Sequence, residues 1–139
     1  MSERALLVGE SNPYGSSDYF ALYPEPPWAA GARLCEILGL THREYLRRFD
    51  RVNLLKGPKW SLVAARLAAA KLSHRRRILL GSRVCAAHGV PFDPFDHFSV
   101  GMGVWVLVLP HPSGRCRLWN AGGVVEKARE AVQAFAAER

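Results

Sequence analysis

Val104-Trp105-Val106-Leu107-Val108-Leu109 is the longest unbroken apolar run in the chain. It has the length of a strand and falls far short of the roughly 20 residues that a membrane-spanning helix needs. Its hydrophobicity is continuous rather than alternating, so both faces of the strand must be covered, as in a parallel sheet held between helices. Three shorter runs read the same way: Ala5-Leu6-Leu7-Val8, Val52-Asn53-Leu54-Leu55 and Arg77-Ile78-Leu79-Leu80. Helical patterns lie between and after them. Gly31 to Gly39 puts Leu34, Ile37 and Leu38 on one side, with Gly39 as the stop. Ser61 caps a pattern running from Leu62 to Leu72, and a last helix from Val124 onward carries Val125, Ala128, Val132 and Phe135 on its apolar side. The alternation predicts an α/β protein: a three-layer α/β/α sandwich around a central, mainly parallel four-stranded sheet, folded as a single domain over residues 1–139.

The chain has 139 residues, 49% of them hydrophobic and 22% charged. That is ordinary globular composition, enough for one core and too little for two domains. It argues against a disordered tail, a collagen or a coiled coil. The N-terminal Met1-Ser-Glu-Arg-Ala-Leu-Leu-Val8 has no long apolar signal segment, so a cytoplasmic protein is expected, with no membrane contact. Internal repeats and low-complexity linkers are absent.

Charge is unevenly placed. The net charge is +7, yet residues 41–83 hold twelve basic and two acidic side chains while the rest of the chain is slightly acidic. Such a concentration suits a polyanion-facing surface, or a solvated basic face. Cys35, Cys85 and Cys116 are odd in number and far apart, with no CxxC pair, so buried reduced thiols are expected and neither zinc nor an iron–sulfur cluster. His42, His74, His88 and His97 show no ligand spacing. Arg75-Arg76-Arg77 reads as a solvated helix end before the third strand, and Pro91-Phe-Asp-Pro-Phe-Asp96 as a loop packing its aromatic rings.

In sheets of this kind ligands sit beyond the carboxyl ends of the strands. The segments there are Gly9-Glu10-Ser11-Asn12-Pro13-Tyr14-Gly15, Lys56-Gly-Pro-Lys59, Gly81-Ser-Arg83 and Pro110-His111-Pro112-Ser113-Gly114. The first lets backbone approach a ligand at Gly9, is stiffened by Pro13, and offers Glu10 and Asn12 as water-holding groups. It is neither a phosphate-binding nor a dinucleotide loop, because both fingerprints are missing. In the last, His111 stands between prolines, placed to donate a proton or a hydrogen bond. Arg115-Cys-Arg117-Leu-Trp-Asn120 mixes guanidiniums that hold phosphates with Leu118 and Trp119, which either wedge between bases or pack the loop. Asn53 is an amide inside an apolar strand and must find partners. It either satisfies a neighbouring loop or pairs with the donor and acceptor of a planar base edge.

Taken in order, these pieces resemble the uracil-DNA glycosylase superfamily. Gly9-Glu10 through Asn12-Pro13-Tyr14 is similar to the first family motif, with one extra residue compared with the best-known branch. Phe20-Ala-Leu-Tyr-Pro24 follows where the family places its stacking aromatic. Asn53 falls on the second strand, where the family reads the pyrimidine, and His111-Pro-Ser-Gly114 resembles the second motif. The likeness runs from about Leu6 to Asn120. Gly15 replaces a histidine of one branch, and the cysteines of the iron–sulfur branch are missing.

The resemblance implies a monomeric DNA glycosylase that needs no cofactor and no metal. It would hydrolyse the N-glycosidic bond of uracil or a related altered pyrimidine rotated out of single- or double-stranded DNA, leaving an abasic site. Glu10 or Asn12 would orient the water, and His111 would stabilise charge on the leaving base. Gly9, Pro13, Tyr14, Phe20 and Asn53 would form the base pocket. Ser113, Gly114, Arg115 and Arg117 would grip DNA. A non-catalytic DNA- or protein-binding module on the same fold is the alternative. A different small α/β hydrolase or nucleotide-binding protein comes third, since no GxSxG elbow is present.

Overall fold

The computed structural model of the protein describes residues 3–12, 18–113 and 116–137. Its strands are β1 (Ala5–Asn12), β2 (Phe49–Lys56), β3 (Arg76–Leu80), β4 (His97–Gly101) and β5 (Val104–Leu109). They form one sheet in the order β2-β1-β3-β5-β4. The first four positions in that order are parallel and correspond to the four apolar runs. The fifth strand corrects the expectation of four: β4 pairs antiparallel with β5. It is an outer strand with mostly exposed side chains and carries no apolar run. The hairpin to β5 turns through Met102 (φ 54°) and Gly103 (φ 76°).

The helices are α1 (Ala30–Leu38), α2 (His42–Arg48), α3 (Leu62–Ala70), α4 (Ser82–His88) and α5 (Val124–Ala137). Gly39 ends α1 in the left-handed region (φ 69°), where glycine avoids the Cβ clash, and returns its N–H to the Cys35 and Glu36 carbonyls. Ser61 accepts the Ala64 N–H at 3.2 Å to start α3. Thr41 and Glu44 form a reciprocal capping box at the start of α2.

Passing from β1 to β2 through α1 and α2 moves one way across the sheet; passing from β2 to β3 through α3 moves back past β1. Parallel crossovers are right-handed, so the reversal places α3 on the opposite face. The core divides accordingly. Leu7, Ile78, Leu80, Leu107 and Leu109 pack with Leu34, Ile37, Tyr45, Ala128, Val132 and Phe135 of α1, α2 and α5. Their strand neighbours Leu6, Val8, Leu79, Val106 and Val108 pack with Ala65, Ala69, Val84 and Cys85 of α3 and α4. The result is three layers, with a two-residue period dividing each central strand between two cores. Among the described residues no helix is long and apolar enough to cross a membrane.

Two further expectations are corrected. Arg76 and Arg77 belong to β3 rather than to a helix end, and Arg77 is buried. Its guanidinium donates to the carbonyls of His74 (2.8 Å), Leu72 (2.9 Å) and Ala69 (3.3 Å), and to His88 Nε2 at 3.3 Å. It therefore caps α3 and ties it to the end of α4. Cys35 and Cys85 are buried as expected, but Cys116 is only half-buried.

Candidate functional site

The reversal of direction in the sheet opens a crevice between the carboxyl ends of β1 and β3. Gly9 and Glu10 stand on one side of it and Gly81, just past β3, on the other. Gly9 pairs in register with Asn53 of β2. The Asn53 side chain leans over it, and a Cβ at Gly9 would collide with Asn53 Oδ1. Gly81 (φ 97°) donates its N–H to the Leu109 carbonyl at 2.9 Å, which draws the end of β5 alongside, and a Cβ there would press on His111 at 3.3 Å. Two glycines thus line this slot: the Asn53 side chain and Leu22 occupy the space over Gly9, and His111 stands beside Gly81. Three strand spacings separate β2 from β5, about 14 Å.

His111 is half-buried and fixed on two sides. The Ser113 N–H donates to its Nδ1 at 3.1 Å, and the Trp119 indole N–H donates to its carbonyl at 2.8 Å. With Nδ1 accepting, the neutral ring carries its proton on Nε2, free to donate elsewhere. Burial lowers the imidazole's pKa, the Glu10 carboxylate pulls it back up, and the Arg83 guanidinium pushes it down again. The net shift is downward, so the ring is neutral at neutral pH.

The segment after β1 carries Phe20, the last residue of a short 3-10 turn, Asp18–Phe20. Three contacts hold its backbone. Arg51 donates to the Ala21 carbonyl at 3.0 Å, and the Tyr45 hydroxyl donates to the Leu22 carbonyl at 2.8 Å. Gly31 of α1 lies so close to the Leu22 and Tyr23 carbonyls that a Cβ would collide with both. Phe20 itself is 57% exposed, with its ring against Tyr19 (4.9 Å between centroids) and Tyr23 (5.4 Å). The residue of this segment found against Gly9 is Leu22, whose Cδ2 would stand 3.2 Å from a methyl placed on Gly9.

Of the residues singled out from sequence, Gly9, Glu10, Asn53, His111 and Ser113 therefore lie along the carboxyl edge of the sheet, Gly9 against Asn53 and His111 against Ser113. Asn12 ends β1 opposite Lys56. Arg117 is exposed at the start of the 3-10 turn Arg117–Asn120. In that turn Trp119 is buried and packs the loop, while Leu118 is 46% exposed. Pro13, Tyr14, Gly114 and Arg115 lie outside the described residues. Sequence reasoning gave no role to Arg83, Gly81 or Leu22. The loop Gly81-Ser-Arg83 stood out by composition, but the closeness of Gly81 to His111 arises only when β3 and β5 pair. A groove of about 360 Å³ lies at the other end of the sheet, lined in part by Leu38, Leu40, Phe49 and Val132.

In comparisons with protein-family models, curated proteins and solved structures, the chain has no match.

Proposed function

We propose that the protein is a DNA glycosylase of the uracil-DNA glycosylase type, acting on uracil or a related altered pyrimidine turned out of DNA. The observation that carries this reading is the placing of Glu10 near the end of β1, of a neutral, Nε2-protonated His111 beside Gly81, and of Asn53 over Gly9, all at the carboxyl edge of the sheet. A planar base in this slot would present its edge to the Asn53 amide, which can donate and accept side by side. The bond from the sugar C1′ to the base nitrogen breaks, and its electron pair goes to the base. The His111 Nε2–H donates to the base oxygen on which that charge collects, in the manner of an oxyanion hole. Glu10, or Asn12 at the end of β1, orients a water whose oxygen bonds to C1′. One proton of that water stays on the new C1′ hydroxyl and the other, given up as the oxygen bonds, neutralises the departing base, so an abasic site remains. Tyr14 would close the pocket beside the pyrimidine C5, Gly9 and Pro13 would shape its wall, and Phe20 would stack on the base. Ser113, Gly114, Arg115 and Arg117 would hold the backbone, and the basic stretch 41–83 would add salt-dependent affinity.

The outward display of Phe20 with Tyr19 favours a second reading, a module that binds DNA without cutting it. One experiment separates the two. Oligonucleotides carrying different altered pyrimidines are incubated with the protein and free bases are detected by mass. A released base with an alkali-labile site left behind supports the enzyme. Release from none of them, with a gel shift intact, leaves the binder.

A further inference from the structure

Helix α3 is apolar toward solvent as well as toward the core. Its inward side is Ala65 and Ala69, both buried against the sheet. Its outward side is the row Val63, Arg66, Leu67, Ala70 and Lys71. Steps of three and four residues put all five side chains on one face of a helix. Lys71, just past the last helical residue, keeps right-handed backbone angles and so continues the row. All five residues are exposed, Val63 to 71% and Leu67 to 62%. Single apolar residues on a surface are ordinary, but Val63 and Leu67 stand one helical turn apart and form a crest. Both ends of the helix are held. Ser61 caps the start, and Arg77 binds the Ala69 and Leu72 carbonyls at the end.

The charge around this crest has one sign. From Arg51 to Phe92 the sequence holds no Asp or Glu. At about 100° per residue, Arg66 lies on one side of the Val63–Leu67 line and Lys71 on the other. Among the described residues neither cation has an ion-pair partner. A face that is apolar along its crest and cationic along both flanks fits a partner with apolar side chains between carboxylates.

We propose that the outer face of α3 docks an acidic amphipathic helix of another protein. Side chains at a four-residue spacing fit between the side-chain rows of a second helix, so the Val63–Leu67 crest enters an apolar groove while carboxylates meet Arg66 and Lys71. The proposal does not depend on the reading of the slot. Other occupants fit less well. A second copy offering the same face brings cations against cations, which repel. Nucleic acid suits Arg66 and Lys71 but gains nothing from Val63 and Leu67. Helices that lie on membranes hold on with broad apolar faces rich in Trp, Phe and Leu, whereas the large exposed apolar residues of this nine-residue helix are Leu62, Val63 and Leu67.

The test uses the full chain. A phage-displayed library of random peptides about 16 residues long, a little over four helical turns, is selected on the immobilised protein. Enriched sequences are then made as free peptides. They are expected to carry an excess of Asp and Glu, with Leu, Ile, Phe or Met recurring at three and four residues, and to bind less tightly as salt is added. Leu67→Gln, at an exposed site and with a similar helix propensity, should weaken the best peptide about tenfold. Repeating the selection on a protein carrying Arg66→Glu and Lys71→Glu should shift the enriched peptides toward Lys and Arg. A library that enriches nothing, peptides without the acidic excess, or a Leu67→Gln protein that binds them as the parent does each overturn the proposal. So does binding of vesicles with about one-third phosphatidylserine, or of duplex DNA, that Leu67→Gln abolishes.

Discussion

Asn53 and Gly9 occupy one register position on neighbouring strands, and the amide oxygen of the first fills the space that a side chain on the second would take. The glycine is needed here for room, since the position is an ordinary strand position. Gly9→Ala is expected to swing Asn53 out of the slot and crowd Leu22. The cost should be about 1–3 kcal/mol by urea denaturation, with loss of base release. The penalty should shrink in an Asn53→Ala background, because the colliding atom is gone; a double-mutant cycle measures that coupling.

Removing the imidazole tests the chemistry more directly. If His111 stabilises the departing base as an oxyanion donor does, His111→Ala should lower base release about 10²–10³-fold while DNA affinity stays nearly constant. A rate within tenfold of the parent would reduce His111 to a support for the Ser113 and Trp119 contacts.

Acid should weaken the fold through two histidines. Burial lowers the pKa of His88, the Val84 carbonyl that accepts its Nδ1–H opposes this, and Arg77 adds to the lowering. His111 is lowered as well. In both cases the folded pKa lies below the unfolded value of 6.5. As pH falls, the unfolded chain takes up these protons first. The stabilisation is present above about 6.5 and is lost as pH drops through the folded values. Urea midpoints should fall between about pH 6.5 and 5, before the carboxylates titrate.

The thiols should separate cleanly by reactivity. Burial pushes Cys35 up to about 11, and burial together with Asp93 pushes Cys85 up to about 11. Cys116 is half-buried. A thiol reagent at neutral pH should modify Cys116 first in the native protein, and the other two only after denaturation.

The parallel part of the sheet was legible because β1, β3 and β5 are covered on both sides and must be apolar throughout. β4 was not, because a strand with one partner and open side chains is free to read His-Phe-Ser-Val-Gly. The short helices escaped for different reasons. α4 begins directly after Gly81, in a stretch that reads as a loop, whereas α2 announces itself through Thr41 and Glu44, a capping signal that periodicity over seven residues cannot reinforce. In the site, Asn53 was legible as an amide where an apolar residue belongs, and His111 by its prolines. The loop after β3 was not, since Gly81 is brought beside His111 by the pairing of β3 with β5, whose partners lie 29 positions apart in sequence.

Arg77 has a consequence for how the molecule opens. One guanidinium anchored in the central sheet holds carbonyls at the end of α3 and the imidazole at the end of α4. Neither helix can peel away without stranding a buried cation, and the other helix then loses the same anchor. The two should therefore exchange their amide hydrogens with solvent as one cooperative unit, at the pace of the central strands rather than of the molecular surface.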